Sequence, residues 1–453
     1  MPKIWKVICP TLVLFVAQAI PEPSLTAADK RFLSLDEAVA AGLEASPGLH
    51  ASRMEVDSSA ARTREVAAGR LPALKLGGGY TRLSVVPPFE VTLPIFPTPV
   101  EVSRNYFNSW GLSVGLKQPV FTGFRLEAGT ESARFLEKSA GLDLEKDRAD
   151  FTFAVKSAYW GLARAREVER AVLENVSQVA EHLRDVRAFF DQGLLTKNEV
   201  LKTELQLSNA ELMRIDARNA AEVARALLNS LIGLPLETEV ELTTTAESLA
   251  ATFPAEEITA DSAAEALIQT ALSDRPELKS AEFRIKASEA GVKAARSGWY
   301  PQVFLSGNYY YLRPNPRLMP SKDRFYGTWD IGISLSFDIW NWGQTRSQAS
   351  QAEAQLAQAR DLRKLLGDQA ALEVTQSRLE LGRARQKTGV AAQAVVQGEE
   401  NLRITRERFR QGVALNTDVI DAEVALLQAK INRTQAAIDL VLSQARLQKA
   451  LGH

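Results

Sequence analysis

The chain has 453 residues, of which 45% are hydrophobic and 24% charged. Its 54 lysines and arginines almost balance its 55 aspartates and glutamates, so no basic excess indicates a nucleic-acid partner. The only cysteine is Cys9, which excludes intramolecular disulfides and, once the N-terminus is removed as described below, any thiolate chemistry.

Residues 1–28 are predicted to be a secretory signal peptide. Lys3 and Lys6 precede an apolar run at residues 7–20 that is too short for a convincing spanning helix. Small residues permit cleavage after Ala19, Ala27 or Ala28, and the later position is favoured. The mature chain would then lack a cysteine for lipid attachment. An exported protein of this kind is periplasmic, secreted or a β-barrel.

The next segment combines an interrupted helix with two strands. A helix is expected over residues 35–68, interrupted where Pro47 follows Ser46. After Pro72 the period changes to two, which predicts strands at about 73–83 and 109–121. These lengths, about ten residues, suit tilted membrane strands. Residues 84–108 between them are expected to form a long surface loop.

Each predicted strand has one apolar and one polar face. Leu112 and Val114 alternate with glycine and serine, and they are expected to face lipid. Lys75 and Lys117 fall on the polar face, which predicts that they line an aqueous lumen. An ordinary soluble hairpin remains the alternative at this point.

The second half of the chain repeats the first. Residues 29–242 and 261–453 are the predicted repeats, and residues 243–260 form a linker. Pro47 and Pro276 are matched by a shift of 229. Strands are expected at about 302–312 and 327–340, and their lipid-facing residues include Ile331, Ile333 and Leu335. Aromatic residues cluster at the strand ends, as membrane girdles do: Trp110, Tyr309, Tyr310, Tyr311, Tyr326, Trp329, Trp340 and Trp342.

Long helices follow each strand pair, over residues 124–232 and 343–452. Runs free of proline, with frequent alanine on one side and charges on the other, predict close coiled-coil packing. Each long run is interrupted by a similar turn, FDQGLLTKNEVL from Phe190 and FRQGVALNTDVID from Phe409. Glycine in each turn favours a left-handed helix end. Asn416 or Thr417 is expected to cap the following helix.

Four strands cannot close a barrel, since about eight is the practical minimum. Open sheet edges are not tolerated in lipid, so membrane strands require several copies of the chain. The alternative is a soluble periplasmic coiled-coil scaffold or adaptor. That alternative explains the helices and leaves the alternating strands unexplained.

The duplicated helix–strand–strand–long-helix order, the PVFTG string at residues 119–123 and the FRQG…TDVID turn resemble the TolC-like outer-membrane efflux protein family. The resemblance implies a mixed α and β homotrimer, with a twelve-stranded outer-membrane barrel continuous with an α-helical periplasmic tunnel. It implies the exit duct of a tripartite pump or a type I secretion system in a Gram-negative bacterium. The implied partners are a periplasmic adaptor, an inner-membrane pump and outer-membrane lipid.

The resemblance also implies site residues. Asp418 and Asp421 match the aspartates that ring the family's periplasmic entrance. Ala414 stands where members carry an arginine that closes the entrance, so that network is in doubt here. Adaptor contact is implied at the turns, by Gly193, Leu195, Gly412 and Ala414.

No enzyme activity, cofactor or metal site is expected. The sequence contains no defensible nucleophile–base pair, phosphate loop or paired catalytic carboxylates. Its three histidines, His50, His182 and His453, share no spacing suited to metal ligands.

Overall fold

A computed structural model describes residues 31–86, 89–91, 94–95, 100–103, 106–245 and 264–452. The predicted signal peptide and most of the predicted linker lie outside these residues. The first half contains β1 (Arg31–Leu33), α1 (Leu35–Ala45), α2 (Pro47–Ala68), β2 (Ala73–Arg82), β3 (Phe89–Val91), β4 (Val100–Ser103), β5 (Asn108–Phe121), α3 (Arg125–Asp191), α4 (Lys197–Leu231) and β6 (Val240–Leu242). The second contains α5 (Ala264–Asp274), α6 (Pro276–Ala295), β7 (Gln302–Arg313), β8 (Tyr326–Ser336), α7 (Gln344–Arg410) and α8 (Asn416–Leu451).

The break between α1 and α2 lies at the predicted Ser46–Pro47 step. The Ser46 hydroxyl accepts a hydrogen bond from the Leu49 N–H at 3.3 Å, and Pro47 is the first helical residue. Proline is well suited to that position because its missing N–H would have no helical partner. Pro276 begins α6 in the same way.

A four-stranded antiparallel sheet has the order β2-β5-β7-β8. The register aligns Leu76, Val114, Tyr309 and Trp329 across the four strands. Side chains two residues apart share a face, so this register brings the apolar faces of all four strands together. Among the described strands, β2 and β8 pair on one side only.

Two strand predictions need correction. β8 was expected to reach residue 340 but ends at Ser336, which pairs with Gln302 at the start of β7. Pro301 precedes Gln302 and has no N–H to continue the ladder. The predicted loop at 84–108 contains the short β3–β4 hairpin, whose residues are rich in β-branched valine.

α3 and α7 are 67 residues long, or about 100 Å at 1.5 Å per residue. Each turns back into a shorter helix, so α3–α4 and α7–α8 form two antiparallel hairpins. α3 also packs against α2, α6 and α8. Much of the buried core is alanine, including Ala158, Ala210, Ala370 and Ala384, as the narrow helix seams predict.

The parallel pair formed by β1 and β6 was not predicted. It packs on a cluster that contains the buried side chains of Tyr159 and Trp160. The Tyr159 hydroxyl donates to the Leu33 carbonyl at 3.1 Å and accepts from the Thr244 N–H at 3.0 Å. The first residues of the predicted linker are therefore attached to the helical body. Among the described helices, none is sufficiently long and apolar to cross a bilayer.

Candidate functional site

Two equivalent turns connect the helices of the two hairpins, at the far ends of the long helices that begin beside the sheet. Gly193 and Gly412 have φ values of 76° and 75°, as the sequence predicted. Gly193 N–H donates to Phe190 O at 2.8 Å, and Leu194 N–H donates to Phe189 O at 2.9 Å. The corresponding bonds from Gly412 and Val413 are both 2.9 Å. Both turns are therefore Schellman motifs, in which the helix's last carbonyls are satisfied.

An apolar cluster lies beneath the turns; we call it the tip cluster. It joins the two hairpins and contains Leu183, Val186, Val200, Leu402, Phe409, Val419, Ala422 and Leu426. The Phe409 ring contacts the His182 ring edge-on, with centroids 5.0 Å apart. Phe409 is thus a core residue of the tip.

A buried polar network crosses the tip cluster. Asn416 or Thr417 was expected to cap α8, but Leu415 occupies the N-cap position and Asn416 is the first helical residue. Its side chain is buried because it binds the neighbouring hairpin. Asn416 Oδ1 lies 2.7 Å from His182 Nε2, and Asn416 Nδ2 donates to Thr203 Oγ1 at 3.1 Å and Glu199 Oε2 at 3.1 Å. Burial lowers the pKa of His182, opposed by the bond to Asn416.

A buried ion pair lies next to this network. The Glu423 side chain is 0% exposed, and its Oε1 accepts from Arg406 Nη2 at 2.8 Å. Arg406 also donates to the carbonyl of Gln178 on α3 at 3.4 Å. Glu423 Oε2 has no partner among the described residues. Burial raises the pKa of the Glu423 carboxyl, and Arg406 opposes that rise.

The matched acidic residues of the two turns have different surroundings. Glu199 binds Lys202 at 3.0 Å and Asn416, and these bonds lower its pKa. Asp418 is exposed and accepts the Leu415 N–H at 2.8 Å, which stabilises the helix start. Asp421 is exposed one turn later and makes no hydrogen bond or ion pair within the described residues. The two aspartates are three residues apart and share one exposed face of α8.

Two predicted contact residues of the turns are less exposed than some of their neighbours. Leu195 and Ala414 are half-buried against the tip cluster. Leu194, Val413 and Leu415 are instead 68%, 65% and 70% exposed, so they form the apolar end surface. The sequence reasoning missed these three residues, although each lies within three residues of a turn glycine.

The expected lipid-facing residues share one face of the sheet. Ile331, Ile333 and Leu335 are 72%, 75% and 69% exposed, and Leu112 is 47% exposed. Val114 is half-buried between its neighbouring strands. The tilted Tyr80–Trp110 ring pair, with centroids 4.4 Å apart, lies near one end of the sheet. Across the part of the chain that is described, no group of three or more His, Cys, Asp or Glu could hold a metal ion.

Comparisons with known proteins agree with this arrangement. The sequence model of the family described as "Outer membrane efflux protein" matches residues 39–234 and 267–453. The outer membrane efflux protein BepC of Brucella suis is 23% identical over 77% of this chain and 74% of its own length. The alkaline protease secretion protein AprF of Pseudomonas aeruginosa is 24% identical over 76% of this chain and 69% of its own. The crystal structure of VceC from Vibrio cholerae superposes with a TM-score of 0.75 over 92% of this chain and 96% of that one, at 20% identity.

Proposed function

The chain belongs to the outer membrane efflux protein family, and we propose that three copies form one twelve-stranded barrel continuous with a helical tunnel. The protein is an outer-membrane channel of a Gram-negative bacterium that extends into the periplasm and serves efflux or secretion. It acts as a passive conduit, which fits a family of channels.

The exposed apolar face of the sheet carries this proposal. Burying such a face in hydrocarbon is favourable, whereas unpaired strand edges in lipid are costly. The unpaired sides of β2 and β8 are therefore expected to join β8 and β2 of neighbouring copies. Three sheets of four strands supply twelve, above the practical minimum of about eight for a closed barrel.

The helices support a joint between copies along the tunnel. A groove of about 1020 Å³ between α3 and α4 is lined by small and apolar residues such as Ala154, Gly161 and Val223. Large apolar residues remain exposed on α4, among them Leu201, Leu205, Leu212 and Leu227. Contact with a neighbouring copy would bury this surface.

We assign the tunnel entrance to the tips. In a trimer, Asp418 and Asp421 would bring six carboxylates around one axis, and carboxylate rings select cations in narrow pores. The turns are the proposed docking surface for a periplasmic adaptor. This surface comprises Gly193, Leu195, Gly412 and Ala414 together with the exposed Leu194, Val413 and Leu415. An inner-membrane pump would act through that adaptor. The relatives' names span efflux and protease secretion, so drug, metal, small-molecule and protein cargo all stay open.

Planar-bilayer recording tests the entrance. Wild-type channels should be cation-selective and blocked by trivalent cations from the tip side. Asp418→Ala combined with Asp421→Ala should weaken both properties while leaving channel formation intact. Glu199→Ala is the matched control, because Glu199 is already paired with Lys202 and Asn416. Unchanged selectivity and block in the double variant would show that the aspartates only stabilise the helix start.

A further inference from the structure

Two lysines lie together on the polar face of the sheet. Lys75 on β2 is opposite Gly115 on β5, and Lys117 on β5 is opposite Ala73 on β2. Lys75 and Lys117 are therefore diagonal neighbours on one face, with Cα atoms about 7–8 Å apart. Both side chains are exposed. Like charges this close on paired strands repel each other, so the arrangement costs stability unless a counter-charge is near.

The sheet contains no carboxylate near them. Across its four strands the only acidic residue is Asp330, which lies on the same rung as Lys75 but three strands away. Within one chain, at about 4.8 Å per strand, that separation is about 14 Å, which exceeds the screening length of about 8–10 Å in physiological salt. In the proposed barrel, β8 of a neighbouring copy would lie beside β2 and bring its Asp330 nearer to Lys75. Asp330 is also bound already, to Asn308 at 2.9 Å and to Arg317 at 3.3 Å.

The surroundings of the pair leave space for a ligand. The face beside Lys75 consists largely of glycine, including Gly77, Gly79 and Gly115. Lys117 Nζ lies 4.5 Å from the centroid of the Phe304 ring, which is also on the polar face. This cation–π contact holds the ammonium group on the polar side of the sheet. Both lysines are near the strand ends that join α2 and α3, at the boundary between sheet and helices.

We propose that Lys75 and Lys117 form an anion-binding ring inside the barrel, a proposal that rests on the trimeric channel proposed above. Three chains would contribute six ammonium groups around the axis, and rings of lysine attract anions and phosphate groups. The ligand class is a multivalent anion, or a segment of cargo that carries clustered carboxylates or phosphates. The path would then be acidic at the tips and basic at the barrel.

Single-channel recording with inorganic tripolyphosphate tests this ring. The full-length trimer is placed in zwitterionic phosphatidylcholine bilayers, so that anionic lipid headgroups cannot occupy the lysines. Tripolyphosphate added on the sheet side should block wild-type channels. Lys75→Gln combined with Lys117→Gln should raise the half-blocking concentration about tenfold or more, equivalent to about 1.4 kcal/mol of binding energy per factor of ten. Lys75→Arg combined with Lys117→Arg should retain the block, because the charge is kept.

Charge-matched controls isolate the site. Lys138→Gln combined with Lys286→Gln removes two exposed positive charges from α3 and α6, where both ammonium groups lie near the Phe283 ring, and should leave the block unchanged. Equal block of the wild type and the double glutamine variant would overturn the ring. If anionic lipid weakens tripolyphosphate block of the wild type, the lysines bind headgroups and the lumen assignment is wrong. Failure of the wild type to form channels would instead refute the trimeric channel itself.

Discussion

The sheet and the helix tips distribute their apolar side chains in opposite ways. At the tips, Val200 and Val419 of the tip cluster are 2% and 0% exposed, and the turn residues Leu194, Val413 and Leu415 are exposed apolar exceptions. On the sheet, Ile331 and Ile333 are more than 70% exposed while serine, asparagine and lysine share the other face. Both arrangements put apolar groups away from water. The difference teaches that the tips are built for an aqueous surrounding and the sheet for hydrocarbon outside and water inside.

The largest loss of stability is expected when the buried carboxylate at the tips loses its ion-pair partner. Arg406→Ala should destabilise the tip by about 3–5 kcal/mol at neutral pH, because it leaves a buried carboxylate without its counter-charge. Hydrogen exchange of the tip amides in the purified trimer would measure this as a lower free energy of local opening. Arg403→Ala is the control, since Arg403 pairs with Glu400 and Glu407 on an exposed surface. It should leave the free energy of local opening almost unchanged, because an ion pair exposed to water contributes little to stability.

The same ion pair predicts a pH dependence. The raised pKa of Glu423 means that the folded tip binds its proton more tightly than the opened tip. The stabilisation of the folded tip by proton binding at Glu423 is fully present below the ordinary glutamate pKa of about 4.3. It is lost as pH rises through the raised pKa of the folded tip. The loss caused by Arg406→Ala should therefore shrink on acidification, and Glu423→Gln should remove the trend. An equal loss at acidic and neutral pH would contradict this reading of Glu423.

A comparable change on the sheet should depend on the face that carries it. Ile333→Arg is expected to oppose membrane insertion by about 2–4 kcal/mol near the bilayer midplane, because that side chain would face hydrocarbon. The neighbouring Ser334→Arg lies on the polar face and should assemble almost normally. Yield of folded protein in the outer-membrane fraction measures both. Equal defects would show that the two faces are assigned wrongly.

A smaller effect is expected in the polar network. Asn416→Ala should cost about 1–3 kcal/mol of local opening free energy, because His182 and Thr203 lose a buried partner. Thr417→Ala is the adjacent control, since Thr417 is half-buried outside this network. Hydrogen exchange of α3 and α8 near the tip reports the result. If both variants behave alike, Asn416 is an ordinary helix-start residue.

Local signals predicted much of this molecule. Alternation placed the four strands, since β-strand periodicity assigns Ile331 and Ser334 to opposite faces without knowledge of the partner strand. Glycine marked both turns, because a residue with a left-handed backbone conformation at a helix end is most easily glycine. The end of β8 was predicted four residues too late, since it depends on where β7 begins.

The polar network escaped prediction for a similar reason. Asn416 lies 234 residues from His182 and 213 from Thr203, and nothing in the local sequence distinguishes a buried asparagine at this position from a helix cap. The parallel β1–β6 pair is also non-local, joining residues 31–33 to 240–242. The different surroundings of Glu199 and Asp418 could be predicted only in part. The one signal is Lys202, which stands where the second turn has Asp421.

Mass measurement of the purified protein in detergent, with the bound detergent accounted for, determines whether the sheets of several chains combine. Three chains per particle are expected, as the resemblance to the family implies, and closing the barrel from several sheets removes every open edge. Heating should then convert this particle to the single chain. A monodisperse monomer that keeps its sheet in detergent would contradict the shared barrel.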